Sequence, residues 1–388
     1  MRILLIVDSF LPEPKATGPM FASLATELTR RGHTATILTV AEQTAPYTVE
    51  QTDYATVIRV RAPRLKGVNL VLRGLRELRL STLVWNNARS VISPLHADLI
   101  AFYSPTIFWG PLVRRLKKLW PARTVLILRD IFPQWALDAG EIRRGPHYTV
   151  LSRYADLQYS VADIIGIQSP GNRAFFEQQR PQFLPRTSVL YNWVTPSSAN
   201  DNATELRKQL GIAATTPIFL YGGNLGPAQD PALLTALASR VGDRAHILVV
   251  GEGLAFRELE SSATQLRNLT AWHSVAQERF LAIAAQCDIG LILLNRNLKT
   301  HNVPGKLLTY LKARIPVLAS LNRGNDLAEL IETHHAGVAC WADEPDRFLE
   351  HAEKLLDPAF RRSLSIESLA RVFSVEAAAD FLVAAAKA

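Results

Sequence analysis

The segment Ile218-Phe-Leu-Tyr-Gly-Gly-Asn-Leu-Gly-Pro-Ala-Gln-Asp230 indicates the fold class of this chain. A short apolar run is followed by three glycines in five residues, and Pro231 then opens a helical pattern. Such a run bounded by glycine is typical of a buried strand, and proline favours the first turn of a helix. The segment therefore predicts a strand, a loop and a helix in succession, which is the repeating unit of a parallel α/β sheet.

The same alternation continues along both halves of the 388-residue chain. Strands are predicted at residues 3–7, 34–40, 57–60, 99–103, 124–128, 164–167 and 188–191, and again at 218–221, 246–250, 269–272, 289–294, 317–319 and 337–340. Residues 194–203 are rich in Pro, Ser and Asn and predict a linker. The predicted fold class is α/β, with two doubly wound Rossmann-like parallel-sheet domains at 1–195 and 203–372 that face each other across a cleft.

The composition excludes several classes of protein. Hydrophobic residues make up 48% of the chain and charged residues 20%, which is typical of a globular protein and not of a disordered, collagenous or coiled-coil one. The two cysteines, Cys287 and Cys340, predict neither a disulfide framework nor a Cys-x-x-Cys metal pair. Residues 1–8 are too short for a signal-peptide core, and residues 99–113 are too short to span a bilayer. A cytoplasmic setting is therefore expected.

The basic excess lies in the first half of the chain, where residues 1–195 carry 24 Lys and Arg against 14 Asp and Glu. Apolar residues interleave the arginines of residues 65–85, and four more basic residues follow at 114–118. This composition is typical of a basic amphipathic segment at an anionic lipid surface. Nucleic acid is disfavoured, because no zinc-ligand pattern, recognition helix or RNA-binding aromatic motif accompanies the basic residues. A solvated face of an Arg-rich protein is the remaining alternative.

Two glycine loops follow successive predicted strands of the second half. Gly251-Glu-Gly253 ends one strand, as Gly222 and Gly223 end the strand before it. Glycine lets a nucleotide base or a phosphate lie against the backbone without interference from a side chain. Tight turns explain either loop alone, but the pair on neighbouring strands favours a nucleotide site.

Lys306 is the strongest candidate for a catalytic residue. It follows the strand at 289–294 and precedes a helix predicted at 307–312, with Asn302 as the expected cap and Pro304 in the first turn. A lysine in the first turn opposes the helix dipole unless an anion binds there, so a bound diphosphate explains its position. A lysine that extends into solvent is the alternative.

Candidate residues of the first half also lie at the carboxyl ends of strands. Asp130 follows Arg129 after the strand at 124–128, and it could orient an acceptor hydroxyl or, alternatively, pair with Arg129 or cap the next turn. Thr17 or Gly18 is expected to cap the first helix, whose backbone N–H groups could approach an anion. Ser169 follows the strand at 164–167.

Motifs of other chemistries are missing from the sequence. His301 and His273 lie near the expected cleft without a second ligand at metal spacing, so neither a metal nor a cofactor is expected. No G-x-S-x-G elbow and no G-x-x-x-x-G-K-[ST] loop occurs, and the Asp-x-Asp pair that holds a metal–nucleotide complex in single-domain sugar transferases is also missing.

Further motifs accompany these loops: Leu11-Pro-Glu with Thr17-Gly18, Arg31-Gly-His-Thr-Ala-Thr-Ile-Leu-Thr39, Tyr191-Asn-Trp193, and Val303-Pro-Gly-Lys-Leu-Leu-Thr-Tyr-Leu with Ile315-Pro-Val317. With them, essentially the whole chain resembles the retaining GT-B glycosyltransferases of family four. Two motifs resemble bacterial O-antigen and capsule enzymes that transfer N-acetylfucosamine-type sugars: Arg129-Asp-Ile-Phe-Pro-Gln134, and Tyr221-Gly-Gly-Asn-Leu-Gly with Ala228-Gln-Asp230.

The resemblance implies a division of labour between the domains. The C-terminal domain would hold a nucleotide sugar, and the N-terminal domain would hold a polyprenyl-diphosphate-linked sugar at the inner membrane face. A last helix within 373–388 would cross back to the N-terminal domain. The implied donor-binding residues are Gly222, Gly223, Asn224, Gly251, Glu252, Gly253, Arg296, Lys299, His301, Asn302, Pro304, Gly305 and Thr309. The implied acceptor-binding residues are Thr17, Gly18, Arg129 and Ser169, and the implied catalytic residues are Lys306 and Asp130.

The chain departs from the family at four positions. The family's two donor-site glutamates correspond here to His301 and Thr309, and its Arg and Lys after the first strand of the C-terminal domain are replaced by Asn224 and Gln229. Lys306 and nearby backbone N–H groups are then expected to stabilise the departing diphosphate. The backbone groups are those of Gly222, Gly223 and Gly305, with help from Arg296 or Lys299.

The expected function is therefore retaining, metal-independent transfer of a deoxy or N-acetyl hexose from a UDP sugar to a lipid-linked saccharide in O-antigen, capsule or exopolysaccharide synthesis. The protein would be cytoplasmic and peripherally bound to the membrane. A GT-B sugar-nucleotide epimerase and a non-catalytic GT-B partner are the alternatives.

Overall fold

The computed structural model describes residues 1–13, 17–63, 76–138, 140–194, 203–226, 228–298 and 303–387. The chain forms two compact units, one of Met1–Trp193 with Val375–Ala388 and the other of Val194–Ser374.

The described strands of the first unit form one eight-stranded sheet in the order β3-β4-β2-β1-β5-β6-β7-β8. These strands are β1 (Arg2–Ile6), β2 (Thr34–Ala41), β3 (Tyr47–Gln51), β4 (Thr56–Arg61), β5 (Leu99–Tyr103), β6 (Arg123–Leu128), β7 (Ile164–Ile167) and β8 (Thr187–Val189). Neighbouring strands are parallel except β3, which pairs with β4 in the antiparallel direction. The order reverses between β1 and β5, which is the point where doubly wound sheets bind ligands.

Helices cover both faces of this sheet because each face is apolar. In β1, Leu4 and Ile6 belong to one buried cluster, whereas Ile3 and Leu5 belong to the cluster on the opposite face. The helices are α1 (Thr17–Arg30), α2 (Leu80–Ile92), α3 (Gly110–Leu119), α4 (Gln134–Asp138), α5 (Pro146–Val161), α6 (Arg173–Gln179) and, from the end of the chain, Val375–Lys387. The last of these contributes Leu382 to the cluster around Ile3.

The second unit has a parallel sheet of six described strands in the order β11-β10-β9-β12-β13-β14. The strands are β9 (Ile218–Asn224), β10 (His246–Glu252), β11 (Leu269–His273), β12 (Ile289–Leu293), β13 (Val317–Leu321) and β14 (Gly337–Trp341). The order again reverses, here between β9 and β12.

The helices of the second unit begin with one that precedes β9, and the others follow its strands along the chain. They are α7 (Ala203–Leu210), α8 (Ala232–Val241), α9 (Phe256–Ala263), α10 (Gln277–Ala284), α11 (Gly305–Ala313), α12 (Leu327–Thr333), α13 (Pro345–Lys354), α14 (Pro358–Ser363) and α15 (Ile366–Val372). The helix Val375–Lys387 of the first unit is α16. Phe219 and Tyr221 of β9 pack into one buried cluster with residues of α8 and α13.

The prediction of two doubly wound α/β sheets is confirmed. Strand β3 was not predicted, because it is an exposed edge strand with no apolar run.

Two predicted helix starts were wrong. Helix α1 begins at Thr17, so Thr17 and Gly18 lie inside its first turn and do not precede it as caps. Helix α11 begins at Gly305, with Pro304 as its N-cap rather than in its first turn.

Candidate functional site

The three predicted donor loops lie together at the carboxyl ends of β9, β10 and β12. Gly223 pairs with Gly251, and Asn224 pairs with Glu252, because β9 and β10 remain in register to their ends. The Leu225 amide donates to the Glu252 carbonyl at 2.7 Å. The loop after β12 joins them where the Asn295 amide donates to the Ala228 carbonyl at 3.0 Å.

Lys306 lies in the first turn of α11, and its side chain turns into the protein. Its Nζ atom is buried and has no hydrogen-bond acceptor among the described residues. The atom lies 3.9 Å from the centre of the Tyr221 ring. Burial lowers the pKa of Lys306 to about 7. The structure therefore places a desolvated amine, without a counterion in the described part of the chain, beside the loop after β9.

The glycines of these loops divide into two groups. A Cβ atom on Gly222 would lie 2.0 Å from the Phe280 ring, and one on Gly251 would lie 2.1 Å from the Gly223 carbonyl oxygen. These two glycines are therefore required for packing. By contrast, no described atom lies within 4 Å of a Cβ built on Gly223 or Gly305. A ligand can approach the backbone most closely at Gly223 and Gly305.

Gly222 differs from the expectation in a second respect. Its amide donates to the hydroxyl of Tyr310 at 3.3 Å, and that hydroxyl also lies 3.0 Å from the carbonyl oxygens of Leu220 and Leu291. The Gly222 N–H therefore already has an acceptor, the Tyr310 hydroxyl of α11. Gly253 has a φ of 128°, and a Cβ atom there would meet Leu225.

The other predicted donor residues surround this group at the surface. Asn224, Glu252 and Arg296 are exposed, and the Glu252 carboxylate accepts from the Ser274 hydroxyl at 3.0 Å. Thr309 is half-buried and lies one turn beyond Lys306 in α11. Lys299, His301 and Asn302 lie outside the described residues.

A second cluster lies at the carboxyl ends of β5 and β6 in the first unit. Arg129 donates from Nη1 to the Tyr103 hydroxyl at 2.9 Å. Burial lowers the pKa of Arg129, but the Tyr103 hydroxyl and the carboxylates of Asp130 and Asp8 outweigh burial and raise it. Burial raises the pKa of Asp130, although the positive charge of Arg129 acts to lower it. The cluster therefore combines one arginine with acidic groups at the reversal point of the sheet.

The remaining acceptor candidates lie at other strand ends of the first unit. A Cβ atom on Gly18 would lie 2.9 Å from the Leu11 amide nitrogen, so this glycine lets α1 pack closely against the loop after β1. Thr17 is half-buried at the start of α1. Ser169 is fully buried after β7.

The predicted basic surface is only partly described. Residues 64–75 of the basic amphipathic segment lie outside the described residues. In α3, Arg114, Arg115 and Lys118 are exposed, and Arg115 lies 6.0 Å from the centre of the Trp85 ring. Lys117 pairs with Asp163 at 2.8 Å, so it stabilises the first unit and does not belong to the free basic surface.

Sequence reasoning missed Tyr103 and Tyr221 as partners of the two candidate cations. Each tyrosine ends the apolar run of a predicted strand, and Tyr221 directly precedes a loop that the sequence singled out. That position was the available signal, because a hydroxyl or a ring at a strand end faces the same edge as the loops.

The described residues contain no group of three His, Cys, Asp or Glu side chains placed to hold a metal ion. They also contain no helix with the length and apolar character needed to cross a membrane.

The second unit, whose geometry is described above, is similar in sequence to a known protein family. Residues 216–358 match the family of group 1 glycosyl transferases. The matched range includes the loops after β9, β10 and β12, together with Lys306.

Two curated relatives carry the same kind of name. WcaI of Escherichia coli (strain K12), named as a glycosyl transferase of colanic acid biosynthesis, is 26% identical over 63% of this chain and 62% of its own length. WbjE of Pseudomonas aeruginosa, named as a glycosyltransferase, is 24% identical over 57% of this chain and 56% of its own length. The alignments thus span about three-fifths of these relatives.

Solved structures share the fold over nearly the full length. The Anabaena protein HepE, solved in complex with UDP and glucose, aligns with a TM-score of 0.65 at 16% identity over 99% of this chain and 98% of its own. The fold is GT-B.

Proposed function

We propose that this protein is a retaining glycosyltransferase that uses a nucleotide sugar as its donor. The observation that carries the proposal is the buried Lys306 ammonium, which has no hydrogen-bond acceptor among the described residues and lies at the N-terminus of α11. A helix N-terminus and a desolvated cation together favour a bound phosphate. The family match over residues 216–358 supports the same assignment.

The donor is proposed to be a UDP-linked deoxy or N-acetyl hexose. Its diphosphate would lie between Lys306 and the open backbone at Gly223 and Gly305, where no described side chain blocks approach. Arg296 would extend this positive region. HepE, which was solved with UDP and glucose, is a structural relative that supports a uridine nucleotide.

The proposed reaction depends on stabilising the leaving group. As the bond from the anomeric carbon to the diphosphate breaks, its electron pair stays on the phosphate oxygen, and Lys306 stabilises the developing charge. The acceptor oxygen bonds to the anomeric carbon from the same face, and its proton passes to the departing phosphate. This route retains the configuration without a carboxylate nucleophile.

The acceptor is proposed to be a polyprenyl-diphosphate-linked saccharide used in surface-polysaccharide assembly. Arg129 and Asp130 would orient its hydroxyl, because they lie at the reversal point of the first sheet beside Tyr103 and Asp8. The names of WcaI and WbjE support a role in such biosynthesis. The exposed Arg114, Arg115 and Lys118 of α3 support peripheral attachment to an anionic membrane.

A thermal-shift panel of UDP, GDP, dTDP, CDP and ADP tests the donor site. A ligand present at 100 times its Kd adds about 2.7 kcal/mol to the stability of the native protein. We expect UDP to raise the melting temperature selectively, and to do so less in Lys306→Ala than in Lys312→Ala, which changes a half-buried lysine later in the same helix. A flat panel would contradict the proposal and favour a non-catalytic partner.

Transfer is tested separately by release of UDP from a UDP sugar when membrane extract supplies the lipid-linked acceptor. Acceptor-dependent release with a retained anomeric configuration in the product is expected. Interconversion of two UDP sugars without any acceptor would instead identify an epimerase.

A further inference from the structure

Tyr221 connects the glycine loop to Lys306. The tyrosine is fully buried in β9, and its hydroxyl donates to the Asn224 carbonyl at 2.8 Å. The face of its ring lies 3.9 Å from Lys306 Nζ. The Tyr221 side chain therefore contacts both the last residue of β9 and the amine at the start of α11.

The ring face is the feature that favours a charged amine at this place. A buried ammonium without a hydrogen-bond acceptor is unfavourable, and an aromatic face partly compensates for the lost water. Burial raises the pKa of Tyr221 on β9, of Tyr310 on α11, which interacts with Tyr221, and of Cys287 before β12, which interacts with Tyr310. These groups are neutral near pH 7 and supply no negative charge to Lys306. Lys312, further along α11, is also desolvated, and burial lowers its pKa.

We propose that Tyr221 is a positioning residue of the diphosphate site, whose ring face keeps the Lys306 ammonium charged and oriented for the anion. The inference rests on the proposed function for the identity of the anion, but not for the interaction between the ring and the amine. Tyr221 does not touch the reacting atoms. It acts through Lys306.

The tyrosine hydroxyl has a separate part in this arrangement. Its bond to the Asn224 carbonyl secures the end of β9, where Gly223 has a φ of 106°. Replacing Tyr221 by Phe removes this bond and keeps the ring, whereas replacing it by Leu removes the ring as well. The two variants therefore separate the loop contact from the contact with the amine.

The first experiment measures the protonation of Lys306 without any ligand. Lysine labelled with ¹³C at Cε gives a signal for Lys306 that is assigned by its loss in Lys306→Met, and this signal is followed from pH 5 to 10. We expect a wild-type midpoint of about 7. In Tyr221→Leu the midpoint falls by about half a pH unit or more, because the loss of a cation–π contact disfavours the charged form.

Control variants show whether the ring itself is responsible. Tyr221→Phe keeps the wild-type midpoint, and so does Phe219→Leu, which shrinks a buried aromatic residue two positions earlier on the same face of β9. Tyr221→Met provides a second variant without an aromatic face if the leucine variant does not fold. An unchanged midpoint in Tyr221→Leu, or an equal fall in Phe219→Leu, would overturn the inference.

The second experiment measures the Kd of UDP-glucose by calorimetry at pH 5.5 and pH 8. The charge of its diphosphate does not change between these values, so a difference in pH dependence between wild type and Tyr221→Leu reports Lys306. We expect Tyr221→Leu to bind about as well as wild type at pH 5.5 and about three to ten times more weakly at pH 8. An equal loss at both values would show a merely structural role and overturn the inference. If wild type binds UDP but not UDP-glucose, the glucose moiety excludes this probe; if it binds neither, the proposed UDP donor is contradicted. In both cases the ligand-free titration still decides the role of Tyr221.

Discussion

Glu27 is a buried carboxylate that two neighbouring arginines neutralise. It lies in α1, and its oxygens accept from Arg30 at 2.7 and 2.8 Å and from Arg31 at 2.7 Å. The hydrogen bond from Arg30, opposed by burial and helped by Arg31, lowers the pKa of Glu27 to about 2. Arg31 also donates to Asp380 in α16, so these side chains connect the end of α1 with the last helix of the first unit.

We expect Glu27→Gln to lower the free energy of unfolding at pH 7 by about 1–3 kcal/mol, because hydrogen bonds to a charged acceptor are lost. A lowered pKa means that the charged carboxylate stabilises the native state above its unfolded value of 4.5 and loses that effect as the pH falls towards 2. The difference between variant and wild type should therefore shrink over this interval. Urea unfolding at pH 7, 4 and 2.5 checks it, and a difference that stays constant would contradict the account.

At the scale of elements, Gly251 in β10 and Gly305 at the start of α11 differ in the space that they leave for a side chain. We expect Gly251→Ala to lower the free energy of unfolding by about 1–3 kcal/mol, because the new methyl group would meet the Gly223 carbonyl oxygen of the paired strand. Gly305→Ala, at a helix start open to solvent in the described residues, should change stability by less than about 1 kcal/mol. Chemical unfolding of both variants tests this contrast. Equal losses would show that Gly251 is not needed for close pairing of β9 and β10.

The strands of both sheets were predictable because they are short apolar runs between loops. The run at 218–221 became β9, which extends to Asn224, since backbone pairing with β10 continues through the glycines. Strand β3 was not predictable in this way, because pairing with β4 places it at a sheet edge with exposed polar side chains. Local apolar pattern predicts buried strands, whereas an exposed edge strand depends on its partner.

The candidate site was predictable as a set of loops but not as a set of contacts. Lys306 could be singled out from its place before a helix, yet nothing local indicates that its amine lies over Tyr221, 85 positions earlier in the chain. The same holds for Arg129 and Tyr103, which meet only because β5 and β6 are neighbours. Packing also explains Gly222, because the Phe280 ring occupies the space that a side chain at this position would need.

At the scale of the whole molecule, the last helix completes the first unit. Leu382 of α16 is 1% exposed in the core around β1, whereas Asp380 is largely exposed in its ion pair with Arg31. We expect Leu382→Ala to lower the free energy of unfolding of the first unit by about 2–5 kcal/mol and Asp380→Asn by less than about 1 kcal/mol. Urea unfolding measures both. A larger effect of Asp380→Asn would mean that charge, rather than apolar burial, holds this helix.

The charge distribution of the first unit leads to a prediction about membranes. Binding to vesicles with anionic lipid should weaken about tenfold or more in the double variant Arg114→Glu with Lys118→Glu, since each basic residue near such a surface contributes about 1 kcal/mol. The matched control is Arg257→Glu with Arg267→Glu, which makes the same change of net charge at exposed positions of the second unit. Flotation with anionic and neutral vesicles checks this. Equal losses in both double variants would indicate a response to net charge alone.

The proposed function depends on binding of the diphosphate of a nucleotide sugar by the second unit through Lys306. Calorimetric titration of UDP into wild type, Lys306→Ala and Lys312→Ala measures this binding. We predict a Kd about 10 to 100 times weaker in Lys306→Ala, because a hydrogen bond to a charged phosphate is lost, and a nearly unchanged Kd in Lys312→Ala. An unchanged Kd in Lys306→Ala, or an equal loss in Lys312→Ala, would contradict the claim.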